Sequence, residues 1–246
     1  TIITQKNSGK HIAWNRAIAI AKGELFIPAD SDDEFKPESL DHFNKYWSQI
    51  EKNERQSYSG VNVLCTTQKK DGKVHGDIYP FQPMVSNNLE LAFKYQITGE
   101  KWGCIRTDLL KQRPFPEVIG NFYPESYLWF YLARHYKVLC VNDILRIYYL
   151  EEEGNLSHHL IKSKKNLVPM LHYTLWNLDT NLDYISKYHG WVEVFKNYIK
   201  IWSHTFIAKF PLRAVFEKRT LFSKIMLSLT LPLGYLHACV TRSKYN

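Results

Sequence analysis

The chain opens with short apolar runs separated by polar, amphipathic stretches. "TIIT" at residues 1–4 is β-branched and predicts a strand, and the polar "QKNSGK" after it predicts a turn with Ser8 as helix cap. In "HIAWNRAIAIAK" Ile12, Ala13, Ala17, Ile20 and Ala21 share a face at helical spacing, and Gly23 marks the stop. "ELFIPA" reads as a buried strand, with Pro28 at an edge or at its end. "KPESLDHFNKYWSQI" predicts a second helix, with Pro37 near its first turn and Leu40, Phe43, Trp47 and Ile50 at helical spacing. "GVNVLCTTQ" is a strand and "KKDGK" its turn. Strand, helix, strand, helix, strand is the order of an α/β domain whose sheet contains parallel strands.

Further on, "GEKWGCIRTDLL" predicts a strand running into a helix, and "RPFPEVIGNFYPE" is a proline-rich loop. "SYLWFYLARHY" puts Leu128, Trp129, Leu132, Ala133 and Tyr136 on one helical face, and "KVLCVN" and "ILRIYYL" read as two strands. The character changes after "EEEGN": the rest is aromatic-rich, basic and helical, so the division expected is a core at 1–155 and a helical extension at 156–246. In "KRTLFSKIMLSLTLPLGYLHACV" Phe222, Ile225, Met226 and Leu229 share a face, with Lys218, Arg219 and Lys224 nearby. A spanning helix needs roughly 20 uninterrupted apolar residues, and Pro232, Gly234 and His237 interrupt this run. Two readings stay open: an interfacial helix giving peripheral membrane contact through 215–240, or a helix closing the core.

Composition adds bounds. The 246 residues are 45% hydrophobic and 23% charged, enough to bury the core of one large domain or of a domain with an extension. The formal charge of +8 favours polyanions, but no long basic block, zinc-finger spacing or RNA-recognition signature is present, so no nucleic-acid partner is expected. The four cysteines lie far apart without a CxxC pair and are expected as buried free thiols in a reducing compartment, hence a cytoplasmic location.

The chemistry concentrates at "ELFIPADSDDEF", where an apolar run ends in Asp30, Asp32, Asp33 and Glu34. Ligands of open α/β sheets bind beyond the carboxyl ends of strands. Mg²⁺-type ions take one or two carboxylates together with phosphate oxygens, so a metal would offset the repulsion. The bland alternative is a solvated turn favouring the next helix N-terminus. A calcium-binding EF-hand loop is rejected, because its sixth position would be Phe35 instead of glycine. A phosphatase-type nucleophile at Asp30 fits only in part, since Glu34 stands where Thr or Val is expected.

The upstream context separates these readings. From Asn7 to Pro37 the segment "NSGKHIAWNRAIAIAKGELFIPADSDDEFKP" resembles family 2 glycosyltransferases through Asn7, Gly9, Asn15, Ala21, Gly23, Glu24, Asp30, Asp32 and Asp33. "FYPESYLWFYLARHYKVLCVNDILRIYY" resembles that family's acceptor-side helix, and the resemblance extends to residue 155. It implies a GT-A fold, a mixed and mainly parallel sheet flanked by helices, here with a helical C-terminal extension. It also implies inverting, single-displacement transfer from a nucleotide-diphosphate sugar to a glycan or lipid-diphosphate-linked acceptor, with Mn²⁺ or Mg²⁺. The family's opening strand–helix unit has no counterpart, and the chain starts with Thr, so it is expected to begin partway into its first domain.

By the resemblance, Asp32 holds the metal while Asp30, Asp33, Lys10 and Asn15 serve the donor. Glu125, at the start of the acceptor-side helix, is the base, with Ser126 where relatives carry Asp. Glu100, Lys101 and Trp102 would line the acceptor side, a core tryptophan flanked by surface charges being the equal alternative. His158 is a candidate third metal ligand. The competing functions are a metal-dependent phosphohydrolase with Asp30 as nucleophile and a non-enzymatic membrane-surface adaptor. The favoured setting is the inner face of the cell membrane.

Overall fold

The computed structural model describes residues 1–69, 72–118, 120–149 and 163–245. The chain divides into two compact units, Arg16–Pro114 with Leu128–Gly154, and Thr1–Asn15 with Phe115–Tyr127 and Asn155–Asn246.

The first unit holds the sheet. Its strands are β1 (Leu25–Phe26), β2 (Glu34–Phe35), β3 (Tyr58–Thr67), β4 (Met84–Ser86), β5 (Lys101–Arg106) and β6 (Lys137–Tyr148), in the order β1-β5-β3-β6-β2, with β4 also on β6. The sheet is mixed, as expected, but not mainly parallel: β3 and β6 pair parallel, and the other four pairings are antiparallel. The strand–helix alternation signalled only the central crossover. It did not show that β5 returns beside β3 or that the two-residue strands β1 and β2 lie antiparallel at the edges.

"TIIT" forms no strand; β-branched residues favour a strand only where a neighbour pairs with them. β1 stops before Pro28, which has no N–H for a ladder. The two strands expected at 137–150 are one, because the polar break between them is bonded in place. Asn142 accepts the Tyr79 N–H at 2.8 Å and donates to the Tyr79 carbonyl at 2.9 Å, while Asp143 accepts from the Tyr46 hydroxyl. The β3 register shifts beside this point, between Asn62 and Leu64.

Helix α1 (Lys10–Ile20) precedes β1, and α2 (Ser39–Gln49) lays Phe43, Tyr46 and Trp47 onto Val61, Val63, Cys65, Trp102 and Leu145 of the sheet. Leu40, expected on that face, is exposed. Two more helices are α3 (Thr107–Gln112) and α4 (Ser126–Ala133).

The second unit is helical. Its main elements are α5 (Leu167–Ile207), interrupted by non-helical backbone at Asn181 and Gly190, then α6 (Leu212–Phe216) and α7 (Leu221–Thr241). Thr220 caps α7 by accepting the Ser223 N–H at 3.1 Å. Trp202 of α5 is wholly buried and donates its indole N–H to the Leu227 carbonyl at 2.7 Å. A Cβ on Gly234 would lie 2.1 Å from the Trp202 Cβ, so glycine is what lets the two helices approach. Among the described residues no helix is long and apolar enough to cross a membrane. Three cysteines are buried, as expected, but Cys239 on α7 is exposed, on the side of the helix that carries the exposed Leu236 and Val240.

His204 of α5 is buried, with its Nε2 3.1 Å from the Tyr245 hydroxyl, and desolvation pulls its pKa from 6.5 down to about 4. Between those values the unfolded chain binds a proton that the folded one refuses, so stability falls as pH drops through this window and is unaffected above it. Urea unfolding between pH 6.5 and 4 should show a loss of about 3 kcal/mol from this residue. His204→Gln should remove that component of the slope; an unchanged slope would assign the loss to other groups.

Candidate functional site

The carboxylates after β1 are held by an arginine from the far end of β6. Arg146 lies in the sheet between Cys65 of β3 and Phe35 of β2. Its Nε donates to the Asp33 carboxylate at 2.6 Å, its Nη2 also contacts that carboxylate, and Nη2 reaches Asp30 at 3.3 Å. The Asp33 side chain is 1% exposed and accepts the Tyr149 N–H at 3.4 Å as well. Burial pushes its pKa up, while the charge and hydrogen bonds of Arg146 oppose the rise. Glu34 accepts from the Tyr149 hydroxyl at 3.0 Å.

The clustered anions are thus compensated mainly by protein. Asp33 is fully engaged, Asp30 is paired but keeps 30% of its side chain exposed, and Asp32 is exposed. No hydrogen bond or ion pair engages Asp32 among the described residues. Among those residues no three His, Cys, Asp or Glu side chains could enclose a metal. The exposed Asp32 and the part-exposed Asp30 still fit a hard cation that takes one or two carboxylates and completes its shell with phosphate and water oxygens.

Tyr149 also lines a cleft of about 380 Å³ together with Lys36, Thr66, Thr67, Gln68, Gly72, Ile144 and Ile147. The Thr67 hydroxyl is buried without a hydrogen-bond partner among the described residues.

The residues expected on the acceptor side differ in placement. Trp102 is a core residue: its ring centroid lies 4.6 Å from Phe35 and 5.0 Å from Phe43, and its N–H donates to the Pro28 carbonyl at 2.6 Å. Lys101 is half-buried and donates to the Thr98 carbonyl at 2.7 Å, desolvation lowering its pKa. Glu100 is exposed. Glu24 of the motif accepts the Trp47 indole N–H at 2.8 Å and so ties β1 to α2.

The helical unit holds Asn7, Gly9, Lys10, Asn15 and Glu125. Gly9 has φ +92°, and a Cβ there would sit 2.2 Å from the Asn121 carbonyl, so this turn requires glycine. Both ends of the Asn15 amide are taken by the Phe115 backbone, at 2.9 and 2.8 Å, which anchors the loop leading to Glu125. Glu125 directly precedes α4 and pairs with Lys10 at 2.9 Å. Ser126 shares a 2.7 Å hydrogen bond with the Tyr173 hydroxyl. The structure therefore brings Lys10 to Glu125. His158 lies outside the described residues.

Residues 1–107 match the family model described as glycosyl transferase family 2. The matched segment takes in the glycine turn, the aspartates and β5, and it ends before Glu125. Among solved structures, that of S. aureus TarS 1–349 is similar with a TM-score of 0.51 at 15% identity, covering 96% of this chain and 62% of that one. TarS 1–349 in complex with UDP-GlcNAc is similar with a TM-score of 0.51 at 16% identity, covering 95% and 63%. At such identity the likeness shows the fold, the expected GT-A type with a helical C-terminal region, and this chain spans 62% of the length of the first TarS structure. No curated protein sequence matches.

Sequence reasoning assigned Arg146 to a strand and missed its role. The signal was there: a lone arginine in "ILRIYY" is a charge in an apolar strand, and a buried charge requires a partner. Arg146→Met should cost about 3–5 kcal/mol in denaturant unfolding, because it strands the buried Asp33 carboxylate. Adding Asp33→Asn should recover part of the loss. A single-variant loss within about 0.5 kcal/mol, the range of ordinary surface changes, would show that the clamp contributes nothing to stability.

Proposed function

We propose that the chain is the transferring core of a family 2 glycosyltransferase, moving a sugar from a nucleotide-diphosphate donor to a hydroxyl of a glycan or lipid-diphosphate-linked acceptor with inversion. The observation that carries this reading is the sorting of the aspartates in a family 2 segment: Asp33 and Asp30 are held by Arg146, while Asp32 is left exposed at the end of an apolar run. The UDP-GlcNAc bound in the TarS complex supports a nucleotide sugar as donor.

In this reading Asp32, with Asp30 beside it, would hold Mn²⁺ or Mg²⁺, which would neutralise charge on the leaving diphosphate. Arg146 is a positioning residue that keeps Asp30 and Asp33 in place. Glu125 takes the proton from the acceptor hydroxyl as its oxygen forms the bond to the anomeric carbon and the nucleoside diphosphate departs. The 2.9 Å contact of Lys10 orients the Glu125 carboxylate and must loosen as that carboxylate accepts the proton. Ser126 contributes no second carboxylate at this turn, so Glu125 acts alone there. We place the reaction in the cytoplasm, at the inner face of the membrane.

A thermal-shift screen of nucleoside diphosphates with and without Mn²⁺ tests the donor half. One nucleotide should raise the unfolding temperature only with the metal, and Asp32→Ala should abolish that rise. A full metal-dependent rise in Asp32→Ala would overturn the metal assignment. Glu125→Gln should lower turnover by about 10²–10⁴-fold and leave the shift intact; near-normal turnover would exclude it as the base.

A further inference from the structure

Helix α7 is built inside out. The residues it turns onto α5 are mostly small or hydroxylated: Ser223, Leu227, Thr230, Gly234 and Ala238 are buried. Ser223 is held there by donating to Asp179 at 2.7 Å and accepting from Tyr198 at 3.0 Å, and Gly234 admits the Trp202 side chain. The opposite face is large and apolar. Phe222, Ile225, Leu229, Leu233, Leu236 and Val240 recur at steps of three or four residues and are exposed, with Leu229 at 64%, Leu236 at 60% and Val240 at 76%. A helix in a water-facing bundle has the reverse pattern. Small residues at the helix contact with large aliphatics outside is the arrangement of helices whose outer medium is itself apolar.

Charge says which apolar medium. Residues 187–246 contain ten Lys or Arg and two Asp or Glu, against 32 and 24 in the whole chain, so this last quarter carries the entire formal charge of +8. Helix α7 contains no acidic residue. Arg213 pairs with Glu217 and Arg219 with Asp179, while Lys209, Lys218, Lys224, Arg242 and Lys244 make no ion pair among the described residues. On a helical projection Lys224 and Arg242, eighteen positions apart, fall on one line at the border between the exposed side and the face on α5, about 140° round from the middle of the stripe and separated by roughly 27 Å at the usual helical rise. Trp191 is exposed at the N-terminal end of the stripe, its ring 5.9 Å from Phe222, and Tyr235 is exposed beside the line of Lys224 and Arg242; both residue types favour the membrane–water interface.

We propose that the outward face of α7 docks in the plane of an anionic lipid surface, with the aliphatic stripe among the acyl-chain boundary and Lys224, Arg242 and the neighbouring cations on the headgroups. The helix lies on the membrane and does not cross it, because its other face is committed to α5 and no described helix is long and apolar enough to span. The docking needs neither the donor nor a metal, so it stands or falls separately from the transfer reaction.

Sedimentation of the full chain with vesicles tests this. Binding is expected to vesicles of phosphatidylglycerol and phosphatidylcholine, weakly or not at all to phosphatidylcholine alone, and should weaken as salt is raised. Leu229→Gln with Leu236→Gln should abolish sedimentation while leaving the far-ultraviolet spectrum and unfolding midpoint near wild type, since both side chains are exposed. Lys224→Gln and Arg242→Gln should each weaken binding about fivefold. Failure of the wild-type chain to sediment with either vesicle would overturn the proposal, as would equal sedimentation by the double leucine variant. Concentration-dependent dimerisation that the same variant abolishes, without vesicle binding, would instead assign the face to a second copy of the chain.

Discussion

A guanidinium buried in a sheet and two carboxylates at the end of an apolar run are each unfavourable alone; together they hold the candidate site. Arg146 loses most of its hydration in β6, and Asp33 loses nearly all of its own. Their contact, with Asp30 at the rim, offsets both costs and fastens the turn after β1 to a strand 113 residues away in the chain. The same contact differentiates three aspartates that look alike in sequence. Two are restrained by the arginine, and the exposed third is the one available to a ligand.

Polar side chains do similar bonding work elsewhere in the sheet unit. Asn142 and Asp143 sit where a strand would be expected to end, yet their bonds to Tyr79 and Tyr46 carry β6 through. Glu24 joins β1 to α2 through the indole of Trp47. In the helical unit the arrangement is reversed. Hydroxyls, a glycine and the Asp179–Arg219 pair occupy the contact between α5 and α7, and aliphatic side chains face outward. Most groups of the polar inner face are bonded, which leaves the outer face free to carry large apolar residues.

Much of the framework was legible from residues alone. The helices around Phe43 and Trp47, β3, β5 running into α3, and the helical character after residue 163 follow from periodicity and from Gly and Pro punctuation. The glycine turn at Gly9 was legible as a motif, and its close approach to Asn121 gives the physical reason for it. Other readings failed where a partner decides. "TIIT" had strand composition but no strand to pair with, and Leu40 had the right spacing but is exposed. Trp102, in a polar sequence setting, is held in the core by Phe35, Phe43 and the Pro28 carbonyl.

By itself the sequence determined the α/β order, the likeness of residues 1–107 to the family 2 model and the position of the acidic turn, because these depend on local spacing and on residue types close together in the chain. Only the tertiary structure decided which aspartate is free, that the sheet pairs mostly antiparallel, and which side of α7 faces out. Periodicity reveals that a helix has two faces but not what lies against either, and a charge pattern shows that compensation is needed but not which distant residue supplies it.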